Sequence, residues 1–356
     1  MIKKGGRRMN AKRWSIAAVS LLAAGLLAVI ALVVIVDPFE IYHPALFYDP
    51  PYESEKQMYA MAGIARSHKY DSAIVGSSVT ENCTPSVYDA ALGGRFVKLC
   101  MNGGLSLDHA KIMDIAFRTH DIERVVYGLD LFAYSQYYNN QKAKTPDYLY
   151  DDNLFNDVSY WLNKSVLISE IPAALARIGA PDPDAARDRM YFWSPPSLPG
   201  EKELRSHIDF SKPMPDQADP ARGLELAELS VAHNLLPYIR NHRDTTFTIF
   251  FPPYSLLYWA DQAENKNFAS CMAQKRLLAG MLLAEPNVEL YDFQSYTQWT
   301  ENYDLYYDLI HYIPSVNDEI AGAIAGDVCR ITDIAQEETV IASLEQAVYA
   351  LFPAAQ

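Results

Sequence analysis

The pattern of apolar positions predicts one membrane helix at the start of the chain. Residues 14–36, WSIAAVSLLAAGLLAVIALVVIV, are uncharged and exceed the roughly 20 residues that a helix needs to cross a bilayer core of about 30 Å. Six basic residues precede this segment, and an Asp-Pro pair follows it. Because cationic flanks remain in the cytoplasm, we expect a cytoplasmic tail at 1–13 and a single-pass anchor in the cell membrane, with the main domain outside. The alternative is a cleaved signal peptide, whose apolar region is usually shorter, about 7–15 residues.

Beyond a collar rich in proline and aromatic residues (37–53), helical and strand patterns alternate. Strands are predicted at 71–75, 95–100, 124–127, 245–251 and 288–291, and helices at 54–67, 85–92, 107–119, 221–240, 256–284, 315–329 and 336–351. This order is typical of a three-layer α/β/α fold, flavodoxin-like, with a mainly parallel sheet. Residues 131–220 do not fit the alternation, apart from one helical stretch near 157–176. We interpret them as a large insertion within a domain spanning 54–356.

Charge and cysteine content narrow the class of protein. The formal net charge is −14, and the six cations of the N-terminal tail make the remainder still more acidic. Such a surface repels phosphate backbones, which argues against nucleic-acid binding. Four cysteines in an extracytoplasmic domain predict two disulfides, Cys83–Cys100 and Cys271–Cys329, with four free thiols as the alternative. We expect no metal site, because neither the cysteine and histidine spacing nor the acidic group at 151–157 matches a known metal loop.

Polar or glycine-rich residues follow three of the predicted strands. They are Gly76-Ser77-Ser78, Asn102-Gly103-Gly104 and Gly128-Leu129-Asp130, and a fourth polar group, Tyr307–Tyr312, lies late in the chain. Open α/β sheets place their sites at the carboxyl ends of strands. A serine becomes a nucleophile when a histidine takes its proton and a carboxylate orients that histidine, while backbone N–H groups bind the oxyanion. Ser77 and Ser78 could instead cap the following helix.

These four blocks, in this order, resemble the SGNH/GDSL hydrolase superfamily. The resemblance implies Ser78 as nucleophile, with Asp308 and His311 as acid and base; Asp304 is a second candidate acid. It also implies an oxyanion hole formed by Ser78 with Gly103 or Gly104, and no cofactor. If the triad forms, Ser78 Oγ should lie about 2.6–3.2 Å from His311 Nε2.

One position departs from the family pattern. The family uses an asparagine side chain in the oxyanion hole where this chain has Asp130, and an ionised carboxylate cannot donate a hydrogen bond. Asn82 or Asn102 would then have to supply the donor. We expect Tyr254 and Ser255, which end a predicted strand on the same edge, to line the substrate pocket together with these residues.

The anchor and the substituted blocks resemble cell-surface members of the superfamily that act in lipoteichoic acid D-alanylation and alginate O-acetylation. We therefore expect a membrane-anchored, extracytoplasmic serine esterase or O-acyltransferase acting on a cell-envelope glycan or glycolipid. Its partners would be that glycan, an acyl donor and a membrane acyltransferase. The alternative is a non-catalytic protein of the same fold that binds a glycan or such an acyltransferase. The aromatic stretch 127–161 could stack on sugar rings.

Overall fold

The computed structural model describes residues 11–52, 56–142 and 144–354. It begins with an apolar helix, α1 (Ala11–Val36), that is long and apolar enough to cross a membrane. Most of α1 is exposed, and only its C-terminal end is buried by the rest of the protein, at Val33 and Val36. Such a helix suits a single-pass anchor or a signal sequence. The first ten residues of the predicted cytoplasmic tail lie outside the described ranges.

The N-terminal half of the domain follows the predicted alternation. It contains α2 (Gln57–Ser67), β1 (Ser72–Gly76), α3 (Pro85–Leu92), β2 (Phe96–Cys100), α4 (Ser106–Thr119) and β3 (Arg124–Gly128). Every residue of β1 and β2 is buried, as expected for a parallel sheet covered on both faces. Proline at the first position of α3 sets the backbone angle for a helix start without removing a needed hydrogen bond.

Residues 131–220, predicted to be an insertion, lie between β3 and the next long helix. Their helices have at most seven residues: α5 (Leu131–Tyr134), α6 (Val158–Trp161), α7 (Ile171–Leu175), α8 (Pro183–Arg189) and α9 (Glu201–Arg205). The single helix predicted near 157–176 is divided into α6, a π-helical turn (Val166–Glu170) and α7. The break occurs at Asn163, whose side-chain oxygen accepts hydrogen bonds from two following backbone N–H groups.

The C-terminal half completes the sheet. Its elements are α10 (Ala221–Asn234), α11 (Leu236–Asn241), β4 (Thr246–Phe251), α12 (Leu256–Glu264), α13 (Phe268–Leu283), β5 (Val288–Asp292), α14 (Thr297–Thr300), α15 (Pro314–Ala325), β6 (Arg330–Ile331) and α16 (Ile334–Tyr349). The helix predicted at 221–240 breaks at Leu235, just before Pro237, which cannot donate to the helical ladder. The one predicted at 256–284 breaks at Lys266, which has a φ of 64°.

The six strands form one sheet in the order β2-β1-β3-β4-β5-β6. The first five are parallel, and β6 pairs antiparallel with β5. The predicted α/β class with a mainly parallel sheet is therefore confirmed. The chain goes from β1 to one side and then returns to the other with β3, so strand order reverses at β1. A crevice for ligands is expected outside the carboxyl ends of β1 and β3.

The two predicted disulfides are not formed, because all four cysteines are free thiols. Cys83 Sγ lies 3.3 Å from the hydroxyl of Tyr88, whereas Cys100 Sγ lies 3.1 Å from Thr80 Oγ1. The prediction paired cysteines that would join neighbouring elements, but Cys83 and Cys100 turn to different partners inside the core. Fully buried thiols of this kind behave as small apolar side chains.

Candidate active site

Two glycines allow the chain to turn sharply after β1. A Cβ atom on Gly76 would lie 2.7 Å from Thr80 Oγ1, and one on Gly128 would lie 2.4 Å from Thr80 Cγ2. Thr80 fills this space and donates from both its backbone N–H and its hydroxyl to the carbonyl of Ser77. The resulting 3₁₀ turn, Ser78–Thr80, begins at the nucleophile candidate. The first N–H groups of a helical turn have no partner within it, and the Ser78 N–H has no acceptor among the described residues.

Ser78, His311 and Asp308 form a continuous chain of hydrogen bonds. Ser78 Oγ lies 2.8 Å from His311 Nε2, and His311 Nδ1 lies 2.6 Å from Asp308 Oδ2. The serine comes from the end of β1, and the other two come from the loop before α15. A histidine that donates Nδ1–H to the carboxylate has its Nε2 lone pair free to accept the serine proton.

The loop that carries the acid and the base is fixed by its own backbone. Asp308 Oδ1 accepts hydrogen bonds from the N–H groups of Ile310 and His311, both at 2.8 Å. Tyr307 N–H donates to the His311 carbonyl at 2.8 Å, which closes the loop. Burial alone would raise the pKa of Asp308, but the hydrogen bonds and charge of His311, with the two N–H groups, hold it below the usual value. The acid therefore stays ionised beside the histidine.

Asp130 does not face the crevice. Its side chain is fully buried and accepts hydrogen bonds from the hydroxyls of Ser77 and Tyr254. Burial raises its pKa to about 6, opposed by those two hydrogen bonds and by the charge of His311. Ser255 is also fully buried, where it donates to the Leu309 carbonyl and caps α12. The structure thus places Asp130, Tyr254 and Ser255 behind the site rather than in its exposed wall.

The glycine turn after β2 offers one free backbone donor. The Gly104 N–H donates to the Met101 carbonyl at 2.8 Å, so it is already engaged. The Asn102 N–H donates to Gln57 Oε1, and the Asn102 side chain is exposed. Gly103 has a φ of 59°, a conformation that favours glycine, and within the described residues its N–H has no acceptor. Of the predicted oxyanion donors, Ser78 and Gly103 are thus the ones whose backbone N–H groups have no acceptor among the described residues.

Two contacts at the site come from residues that the sequence analysis did not single out. Gln57, at the start of α2, holds the Asn102 N–H with its oxygen and donates its Nε2 to the Glu81 carboxylate at 2.6 Å. Glu81 is buried, which raises the pKa of its carboxyl group. This link joins α2 to both the glycine turn and the serine turn. Gln57 and Glu81 are 24 residues apart and belong to different elements, so no sequence pattern identifies them as partners.

The insertion also reaches the site through Trp193. The Trp193 ring meets the His311 ring edge-on, with 5.1 Å between ring centroids, and lies 5.8 Å from the Tyr307 ring. Asn82, predicted to bind substrate, instead accepts the Trp193 backbone N–H at 2.9 Å and so fixes this segment. The insertion therefore supplies part of the wall around His311.

A groove of about 500 Å³ opens beside Asp308, between the insertion and the loop that carries Asp308 and His311. Its lining includes Leu204, His207, Tyr258, Asp261 and Leu309. Its surface is largely apolar, and its charged groups include three carboxylates, Glu203, Asp261 and Asp308. Across the described residues, no group of three histidine, cysteine or carboxylate side chains is arranged to hold a metal ion.

Comparisons with known proteins add little. No protein-family model matches the chain, and no curated protein matches its sequence. One solved structure that is similar in outline is described as a putative platelet activating factor from Streptococcus pneumonia. It is 11% identical, with a TM-score of 0.39, and the alignment covers 88% of this chain and 97% of that one.

Proposed function

We propose that this chain is a serine esterase or O-acyltransferase of the SGNH type. The observation that carries the proposal is the hydrogen-bonded chain Ser78–His311–Asp308, positioned by backbone contacts at the carboxyl edge of the sheet. Nucleophile, base and orienting acid are the three parts that acyl transfer requires.

The geometry suits a two-step reaction. Ser78 Oγ attacks the carbonyl carbon of an ester while its proton passes to His311 Nε2, and the N–H groups of Ser78 and Gly103 bind the resulting oxyanion. Asp308 stabilises the imidazolium that forms. The intermediate then collapses, the ester C–O bond breaks, and His311 returns the proton to the leaving alcohol. Water or a sugar hydroxyl next attacks the acyl-serine with His311 again as base, which releases the acyl group and regenerates Ser78.

The surroundings of the triad favour a neutral, hydroxyl-rich substrate. The groove beside Asp308 is acidic and would repel phosphate or carboxylate groups. Trp193 and Tyr307 are half-buried and present ring faces and edges next to His311, a surface on which a sugar ring can stack. With α1 as an anchor, this supports a cell-envelope glycan or glycolipid, acylated or deacylated outside the membrane.

The non-catalytic alternative rested on Asp130 repelling an oxyanion. Its carboxylate instead accepts two buried hydroxyl hydrogen bonds, from Ser77 and Tyr254, and the oxyanion can be bound by backbone N–H groups. We therefore favour the enzyme.

A fluorophosphonate probe tests the proposal, because it labels only a serine activated as a nucleophile. The full-length protein in detergent should be labelled, and peptide mapping should place the adduct on Ser78. The Ser78→Ala variant should lose the label and the hydrolysis of p-nitrophenyl acetate. Ser86→Ala is a matched control, because Ser86 is exposed on α3 and bonds to Asp188. Labelling that survives Ser78→Ala would refute the assignment.

A further inference from the structure

The residue that follows the membrane helix ties that helix to two distant parts of the chain. Asp37 accepts hydrogen bonds on its carboxylate from the Tyr160 hydroxyl at 3.1 Å and from the Tyr42 N–H at 2.6 Å. Its carbonyl accepts the Tyr48 hydroxyl at 2.9 Å. Tyr42 and Tyr48 belong to the collar, whereas Tyr160 belongs to the insertion. The insertion is therefore held at the point where α1 ends.

The segment 154–178 of the insertion lies along this point. Both α6 and α7 contact α1 directly. At the far end of the segment, Ile178 forms an antiparallel bridge with Tyr48, supported by backbone hydrogen bonds on either side. Near its start, Trp161 Nε1 donates to the Tyr42 hydroxyl at 2.8 Å. Collar contacts thus hold the segment near both of its ends, beside the last turn of α1.

This segment exposes large apolar side chains. Phe155 is 93% exposed, Ile178 67%, Ile168 62% and Leu154 60%, and the neighbouring collar residue Leu46 is 61% exposed. Single exposed apolar residues are ordinary, but these lie on one segment that is held against the end of α1, which makes the segment a candidate interaction surface. We call residues 154–178 with Leu46 the apolar face.

The charge of the apolar face differs from that of the whole chain. Its two acids are withdrawn, since Asp157 is buried against the Tyr42 hydroxyl and Glu170 is paired with Lys56 at 2.7 Å. Lys164 is exposed, whereas Arg177, also exposed, is paired with Asp49 of the collar at 3.4 Å. A protein with net charge −14 thus presents here an apolar surface that carries an exposed lysine and whose own acids are buried or paired. That combination is typical of segments that lie in a membrane interface facing anionic lipids.

We propose that the apolar face is a membrane-docking surface whose occupant is the lipid headgroup and upper acyl region of the outer leaflet. The inference depends on α1 remaining in the bilayer, which is part of the proposed function. A helix of 26 residues is about 39 Å long, so its last turn lies near the surface of a core about 30 Å thick. Side chains beside Val33 and Val36 must then be at that depth. Docking would hold the catalytic domain against the membrane in one orientation.

Photo-crosslinking tests this proposal with the full-length protein in nanodiscs of phosphatidylcholine and phosphatidylglycerol. Benzoylphenylalanine would replace Phe155 or Ile168, and Leu22, within α1, would serve as the positive control. Tyr349, 48% exposed on α16, is the matched negative control. We expect lipid adducts at 155 and 168 to exceed those at 349 by about tenfold, as for side chains in the acyl boundary rather than in water.

The outcomes separate the two proposals. Lipid adducts at 22 but only background at 155 and 168 would overturn the docking surface and leave the anchor standing. Background at all positions would overturn both. Adducts of 155 or 168 to a second protein chain instead of lipid would reassign the face to a protein partner. If one substitution prevents folding, Leu162, 47% exposed on the same face, replaces it.

Discussion

Replacing Asp308 with asparagine should inactivate the protein by fixing the wrong histidine tautomer. In the native loop, Asp308 Oδ1 accepts two backbone N–H groups, from Ile310 and His311, while Oδ2 faces His311 Nδ1. An asparagine has only one oxygen, and that oxygen must face the two N–H groups. The amide NH₂ would therefore point at Nδ1 and donate to it. The imidazole would then carry its proton on Nε2 and could not accept the proton of Ser78.

The expected loss of catalytic activity in Asp308→Asn is large. For the same exchange in a serine-protease triad, the wrong tautomer lowers kcat by about 10⁴-fold, which corresponds to about 5 kcal/mol of transition-state free energy. Asp308→Ala should lose less, because without a partner the imidazole remains free to adopt either tautomer. The predicted order of kcat/KM is thus native, then alanine, then asparagine.

Hydrolysis of p-nitrophenyl acetate by the full-length protein measures this order. Asp304→Asn is the matched control, because Asp304 is an exposed acid outside the loop that carries Asp308 and His311. The hydrolysis rate of this variant should stay within about twofold of native. An Asp308→Asn variant within tenfold of native, or one more active than Asp308→Ala, would refute the reasoning. A large loss in Asp304→Asn would instead identify that residue as the acid.

Three further predictions follow from the surroundings of the site. Folding raises the pKa of Asp130 to about 6, so its ionisation lowers the free energy of unfolding as the pH rises from about 4 to 6. Over that range, Asp130→Asn should gain about 2 kcal/mol of stability relative to the native protein, measured by urea unfolding. A stability difference between variant and native that does not change with pH would contradict this. Gly104→Ala would place a Cβ 2.8 Å from His109 Nε2 and should cost about 1–3 kcal/mol, whereas Gly322→Ala in α15, with open space, should be neutral or stabilising. Alkylation of the unfolded, unreduced protein should modify all four cysteines, and any disulfide-linked peptide would contradict the free thiols.

The parts of the fold that depend on local pattern could be predicted from the sequence. β1, β2 and β3 are short apolar runs ending at glycines or small polar residues, so both the strands and the edge they share were visible. β6 was missed because two residues, Arg330 and Ile331, carry no periodicity; their pairing depends on β5 being present. The disulfide prediction failed because the adjacency of two elements does not determine where their cysteine side chains point.

The candidate site likewise contains some residues that the sequence predicts and others that it does not. Ser78, Asp308 and His311 were predicted from the resemblance to the SGNH/GDSL pattern, which has a serine after a strand and an Asp-x-x-His late in the chain. The direction of the Asp130 side chain could not be predicted, because it depends on the hydroxyls of Ser77 and Tyr254, which come from two other strand ends. Trp193 was invisible for a related reason, since its position beside His311 depends on the path of a segment without regular pattern.

That irregular segment connects the two proposals physically. Residues 131–220 contact the end of α1 through Tyr160 and reach the loop of His311 through Trp193, and Ser194 Oγ lies 2.8 Å from the Tyr307 hydroxyl. A shift of the insertion relative to α1 would therefore displace the wall of the site. If the apolar face is bound to lipid, the bilayer restrains that wall, and activity should depend on the membrane. Native protein in nanodiscs should then have a higher kcat/KM than in detergent, and the difference should shrink when Phe155 and Ile168 are changed to serine.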